Sequence, residues 1–199
     1  LGIKVQGGLI GLADGRITAG TQLSSARKIT TLTVDGQQLF VMSSGLRSVR
    51  DKTLAYLRQS VGRRMGHDKP MLIDVVNVFS ECLRRVAAED REFLEQSKLS
   101  FNLHALVGGQ LAGDLEPGMF LVYPEGNWIE VDRRTPYLSI GSTAYGKPIL
   151  DRALRYQTSL RTALKIAYLS FDSSRFSSAD VGYPLDLITY DAASRSWRE

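Results

Sequence analysis

Three residues early in the chain have the types and placement that chemistry at a carbonyl needs. Asp14 follows the apolar run Leu9 to Ala13, Lys28 opens the alternating run KITTLTV, and Gly45 closes the small-residue stretch Ser43-Ser44-Gly45. Each falls at the expected end of a strand. An acid, a cation and approachable backbone N–H groups are thus available to one place. Such a set suits a nucleophile at a chain terminus. There the α-amine, with an unperturbed pKa near 8, serves as base for the side chain of its own residue. A lysine makes the nucleophile easier to deprotonate, an acid holds the lysine, and N–H groups receive the oxyanion. The same residues also have an ordinary reading. Asp14 would cap a turn, Lys28 would lie on the surface, and Gly45 would only end a strand. Spacing alone leaves both open.

Other chemistries find less support. Cys82 falls on the apolar side of a helical pattern, which reads as core and not as a nucleophile. His104 lies in an alternating strand and His67 in a basic loop; neither has HExxH spacing or a cysteine cluster, so no metal site is expected. Gly108-Gly109 lacks the lysine of a phosphate-cradling loop, and no cofactor is expected.

The elements that must position these groups are legible in outline. Leu1 to Val5 and Leu9 to Ala13 flank Gln6-Gly7-Gly8, a hairpin signal. Arg16 to Ser25 is polar and reads as a loop or an irregular strand end. Arg27 to Val34 and Gln38 to Met42 flank Asp35-Gly36, a second hairpin. From Arg47 the period turns helical through Val49, Leu54, Leu57 and Val61. After a basic connection, Gly62 to Pro70, Asp74 is expected to cap a second helix with a stripe of Val76, Phe79, Leu83, Val86 and Phe93. Strands return at Phe101 to Gly109, Met119 to Tyr123, Trp128 to Val131 and Tyr137 to Ile140. Two helical patterns follow, Tyr145 to Tyr156 and Ser159 to Phe171. A Ser-rich loop, Ser173 to Gly182, leads to a last strand, Leu185 to Tyr190. Paired strands alternating with paired helices imply an α+β fold of four layers, αββα, with antiparallel sheets.

Composition sets the outer bounds. At 199 residues the chain suits a single domain, 1–199, able to bury a core without staples. One cysteine excludes an internal disulfide framework and fits a reducing, cytoplasmic setting. No apolar run approaches the roughly 18 residues of a membrane helix, so no membrane partner is expected. The net charge of +4 is spread along a helix (Arg47, Arg50, Lys52, Arg58, Arg63, Arg64) among acids and apolar residues. It reads as a solvated face, and no nucleic-acid partner is expected.

Against this outline, GLIGLADGRITAG followed by ARKITTL resembles the start of a proteasome-type β-subunit. The blocks VYPEGNWIEVDRRTPYLSIGSTAYGKPILDRALRY and TSLRTALKIAYLSFDSSRFSSADVGYPLDLITY are similar to Anbu, the bacterial "ancestral β-subunit" family, over essentially the whole chain. The resemblance implies the N-terminal-nucleophile hydrolase sandwich and a threonine-type peptidase acting within a homo-oligomeric ring or spiral. Its substrate would be peptide or protein, and an ATP-dependent partner, if any, a separate chain. It implies Asp14 and Lys28 as the catalytic acid–lysine pair, the Gly45 N–H at the oxyanion, and Ser142 as support for the terminal amine. Two departures accompany it. The family's nucleophile falls roughly three residues ahead of Leu1, which itself has neither hydroxyl nor thiol. Ser178 and Val181 also stand where proteasome subunits carry an Asp-x-x-Ser pair. A catalytically silent assembly protein of the same fold is the alternative.

Overall fold

The structure, a computed structural model, describes residues 1–19, 22–25, 27–64 and 69–199; for 17–19, 22–25 and 62–64 it describes the backbone alone. The strands and helices, in chain order, begin with β1 (Gly2–Val5), β2 (Gly8–Asp14), β3 (Arg16–Ala19), β4 (Gln22–Ser25), β5 (Ile29–Val34) and β6 (Gln37–Gly45). Helices α1 (Arg47–Arg64) and α2 (Leu72–Gln96) follow, then β7 (Leu103–Gly109), β8 (Gly118–Val122), β9 (Trp128–Glu130) and β10 (Tyr137–Leu138). The chain closes with α3 (Lys147–Ala153), α4 (Leu160–Ser177), β11 (Leu185–Asp191) and β12 (Ser196–Arg198). These elements form two compact units, Leu1–Thr31 with Val131–Glu199, and Leu32–Glu130.

The first unit holds an antiparallel sheet in the order β10-β1-β2-β11-β12. The expected hairpin pairs Val5 with Gly8 and Gly2 with Gly11. Apolar residues at alternate positions put Leu1, Ile3, Val5, Ile10 and Leu12 on one face, where they meet Leu150 of α3 and Ala163, Ile166 and Ala167 of α4. The helices differ from the sequence expectation at their ends. The turn of α3 starts only at Lys147, and α4 runs on to Ser177, taking in half of the stretch read as a Ser-rich loop. Ser159 caps α4, its hydroxyl accepting from the Thr162 N–H at 3.2 Å. The expected loop at Arg16 to Ser25 contains instead the two-stranded ladder β3–β4. Both strands are only four residues long, too short for alternation to stand out in the sequence. The residues after β11 add an edge strand, with the Trp197 ring tilted against Tyr190 at 4.7 Å between centres.

The second unit holds a sheet in the order β5-β6-β7-β8-β9, with β6, β7, β8 and β9 paired antiparallel. Asp35-Gly36 makes the hairpin turn with positive φ at both residues, as a type I′ turn needs. On α2, Val75, Val76, Phe79, Cys82, Leu83 and Val86 are buried against the sheet, which settles Cys82 as core. Phe93 continues the same helical period but is 68% exposed: α2 runs past the edge of the core it covers. Asp74 is not the cap. Met71 precedes the helix, and the Asp74 carboxylate accepts from the Met71 N–H at 2.9 Å. The first helical N–H, that of Leu72, is satisfied by Asp114 from the β7–β8 connection, at 3.0 and 3.2 Å. Asp114 also accepts from Leu111 N at 2.8 Å. On α1, Lys52 pairs with Glu89 and Asp90 of α2, and Tyr56 donates to Glu89 at 2.7 Å. The basic face is therefore partly neutralised within the unit. His104 lies in β7, edge-on to Tyr123 at 5.9 Å, whereas His67 lies outside the described residues. Among the described residues no helix is long and apolar enough to cross a membrane.

One carboxylate serving a helix start and a turn makes Asp114 a point of weakness. Asp114→Ala is expected to lower stability by about 1–2 kcal/mol, read as a shift of the denaturation midpoint with unchanged slope in urea.

Candidate active site

β2 delivers Asp14 at its last position, opposite Leu185 of β11. Lys28 stands just before β5. Its Nζ donates to Asp14 Oδ1 at 2.6 Å, with side chains only 13% (Asp14) and 23% (Lys28) exposed. The other carboxylate oxygen accepts from Arg16 N at 3.2 Å. The acid is thus held on both oxygens, and the ordinary reading of Lys28 as a free surface residue gives way to an enclosed pair. Of the four sequence-derived site residues, the structure joins Asp14 and Lys28 directly.

Leu1 lies next to this pair along the sheet. Its backbone nitrogen donates to Leu12 O at 2.9 Å, and Leu12 N donates back to Leu1 O at 2.9 Å, so the β1–β2 ladder extends through Leu1.

Ser142 belongs to the same unit. It lines a small cavity of about 30 Å³ with Leu1, Ser139, Lys147, Ser170, Ser174 and Val181. Its hydroxyl donates to Ser178 Oγ at 3.5 Å. Ser142 and one member of the departed Asp-x-x-Ser pair are thus side by side. The other member, Val181, closes the cavity with an apolar wall. A hydroxyl and a methyl-bearing wall thus stand at the two positions matched above to the Asp-x-x-Ser pair of proteasome subunits.

Gly45 lies in the second unit, as the last residue of β6. Its φ of 122° and the 2.2 Å that would separate an added Cβ from Asn102 O leave room for glycine alone. The sequence showed that a glycine stood there, not that the backbone demands one.

Sequence reasoning missed Arg16. Beyond its N–H to Asp14, its guanidinium donates to Ala179 O and lies against Gly182, where an added Cβ would stand 2.5 Å away. It ties the Ser178 turn to the Asp14 strand end, and no local pattern announces this. Ser170 and Ser174, also missed, carry a readable sign. They are i, i+4 on a helix and face inward with Ala163 and Ile166, polar residues at core positions. Among the described residues no group of acids, histidines and cysteine is placed to hold a metal.

A family model described as proteasome subunit matches residues 1–187. Among solved structures, Anbu from Yersinia bercovieri is 32% identical, covering 98% of this chain and 82% of that one, with a TM-score of 0.86. The Pseudomonas aeruginosa Anbu complex is 34% identical over 98% and 81%, TM-score 0.87, and Anbu from Hyphomicrobium sp. strain MC1 is 28% identical over 100% and 84%, TM-score 0.86. No curated protein sequence matches. The chain belongs to the proteasome subunit family and, within it, to the Anbu proteins. With that membership the expected α+β sandwich of N-terminal-nucleophile type stands.

Proposed function

We propose that this chain is a proteasome-type peptidase subunit, spanning 1–199 as one subunit domain, whose nucleophile sits about three residues ahead of Leu1. The observation that carries the reading is the register of β1. It pairs Gly2 with Gly11 on one side, so stepping back from Leu1, opposite Leu12, reaches Ala13 and then Asp14. On the other side it pairs Ile3 with Tyr137 and Gly2 with Leu138, and the same count leads through Ser139 toward Ser142. By this count a residue three positions ahead of Leu1 comes beside the Asp14 strand end on one side and level with Ser142 on the other.

In that role the nucleophile's oxygen attacks the substrate carbonyl carbon and its proton passes to the α-amine of the same residue. Lys28, as a cation held by Asp14, favours the deprotonated oxygen. Backbone N–H groups, that of Gly45 among them, receive the negative charge that develops on the carbonyl oxygen. The amide nitrogen leaves with the proton from the amine. Water then attacks the acyl ester, giving a carboxylic acid and restoring the hydroxyl. Ser142 and Ser178 help hold the amine. The substrate is peptide or protein, and any ATP-driven unfolding belongs to a separate chain. A helical assembly is described for the Pseudomonas aeruginosa Anbu complex, and a homo-oligomeric ring or spiral is the matching expectation here.

A silent assembly protein is the second reading. The replacement of the Asp-x-x-Ser pair by Ser178 and Val181 favours it, because a buried apolar wall cannot help hold a charged amine.

The experiment is the intact mass of the protein carrying its natural first residue, before and after a β-lactone or a peptide epoxyketone. One adduct per chain is expected, with its rate reduced at least about 100-fold in Lys28→Ala. Absence of any adduct on the natural protein rejects the peptidase reading and leaves the assembly one.

A further inference from the structure

The stretches Tyr145-Gly146-Lys147-Pro148-Ile149-Leu150-Asp151 and Ser170-Phe171-Asp172-Ser173-Ser174 are not accounted for by the chemistry above. The structure brings them together. Gly146 starts α3 hard against α4: a Cβ there would stand 2.4 Å from Ser170 Oγ and 2.9 Å from Ser170 O and Ser174 Oγ. Ser173 Oγ donates to Tyr145 O at 3.2 Å. One end of the Ser142 segment is thus fixed where it enters α3, and Lys147 N donates to Thr143 O at 3.0 Å.

The other end is Tyr137 of β10. Its ring is buried, 5% exposed, and its hydroxyl donates to Asp151 Oδ1. Lys147 Nζ donates to Asp151 Oδ2 at 2.7 Å and lies 5.8 Å from the Tyr137 ring centre. Lys147 and Asp151 are one helical turn apart, so a single carboxylate clasps the residue before the segment 138–146 and the residue after it. The Lys147 ammonium and then the Tyr137 hydroxyl hold the Asp151 carboxyl below the usual carboxylate range, while burial raises the Tyr137 hydroxyl. Ser142 needs such help. It is exposed, and its bond to Ser178 is at the long limit of a hydrogen bond.

We propose that Asp151 is a positioning residue for Ser142, closing the segment 138–146 by holding Tyr137 and Lys147 together so that Ser142 stays at the Leu1 cavity. The proposal rests on the reading of Ser142 as a support for the terminal amine. Asp151 itself does not touch the reacting atoms. An ordinary i, i+4 ion pair on a helix surface contributes only a few tenths of a kcal/mol. The third partner changes the case, because Tyr137 is anchored in the sheet by its buried ring and has its hydroxyl donor directed at this carboxylate.

The test uses the protein with its natural first residue and the variants Tyr137→Phe, which keeps the ring, and Asp151→Asn, which keeps the shape. Hydrogen exchange followed by mass spectrometry should show about tenfold faster exchange confined to 138–146. Acylation by a peptide epoxyketone should slow about five- to tenfold in its first-order constant, with unchanged inhibitor affinity. Unchanged exchange in both variants overturns the clasp. Faster exchange with unchanged acylation overturns the positioning role, and a uniform rise across α4 and β11 reduces Asp151 to general stability. If the natural protein takes no adduct, the peptidase reading falls and the positioning role with it; a persisting local exchange difference then shows that the clasp itself survives.

Discussion

A carboxylate at the end of a buried strand must be matched in charge or left in water, because an unpaired charge in a low-dielectric setting costs several kcal/mol. Asp14 meets that constraint by taking Lys28 on one oxygen and the Arg16 N–H on the other. Three pieces of chain are thereby committed to one point: the end of β2, the residue before β5 and the turn into β3. Arg16 adds a fourth through Ala179. The same enclosure that makes the pair a stabilising contact keeps the lysine's charge from being dispersed into solvent. A site of this kind is part of the fold's own electrostatic balance, not a later addition to its surface.

How much of this was legible depended on whether a local pattern carried the information. The β1–β2 and β5–β6 hairpins were readable because Gly7-Gly8 and Asp35-Gly36 are turn residues with backbone reasons to be there. The α2 stripe was readable because it faces a core, and misleading at Phe93 because periodicity persists where the core ends. β3 and β4 were not legible, since four-residue strands paired only with each other are too short to show a period. Asp114 was invisible as a cap because it lies 42 positions from the helix start it satisfies. Asp14 and Lys28 could be read as a pair only because each sat at a strand end. Ser142, by contrast, came from family resemblance alone, and nothing local to it announces the cavity. Arg16 and the Tyr137–Asp151 contact are long-range or sheet-to-helix, and depend on where elements pack.

The departures from the proteasome pattern are concentrated on one side of the start of β1. The acid–lysine side is complete and enclosed, whereas the amine side has a serine at a long hydrogen-bond distance and a valine wall. In the proposed peptidase role, the groups meant for the nucleophile's oxygen would therefore be more firmly held than those meant for its nitrogen. The extra fastening of the Ser142 segment through α3 lies on this weaker side.

The short first hairpin also acts as a ruler. A strand turns successive side chains to opposite faces, so a single residue inserted or deleted between the Gln6-Gly7 turn and the start of β1 would do more than shift the strand by one step. It would turn Leu1 and Ile3 away from α3 and α4, with the backbone ladder still able to form. Length in this segment is consequently a phase, tolerant in steps of two and intolerant of one, and the chain can vary its composition there far more freely than its count.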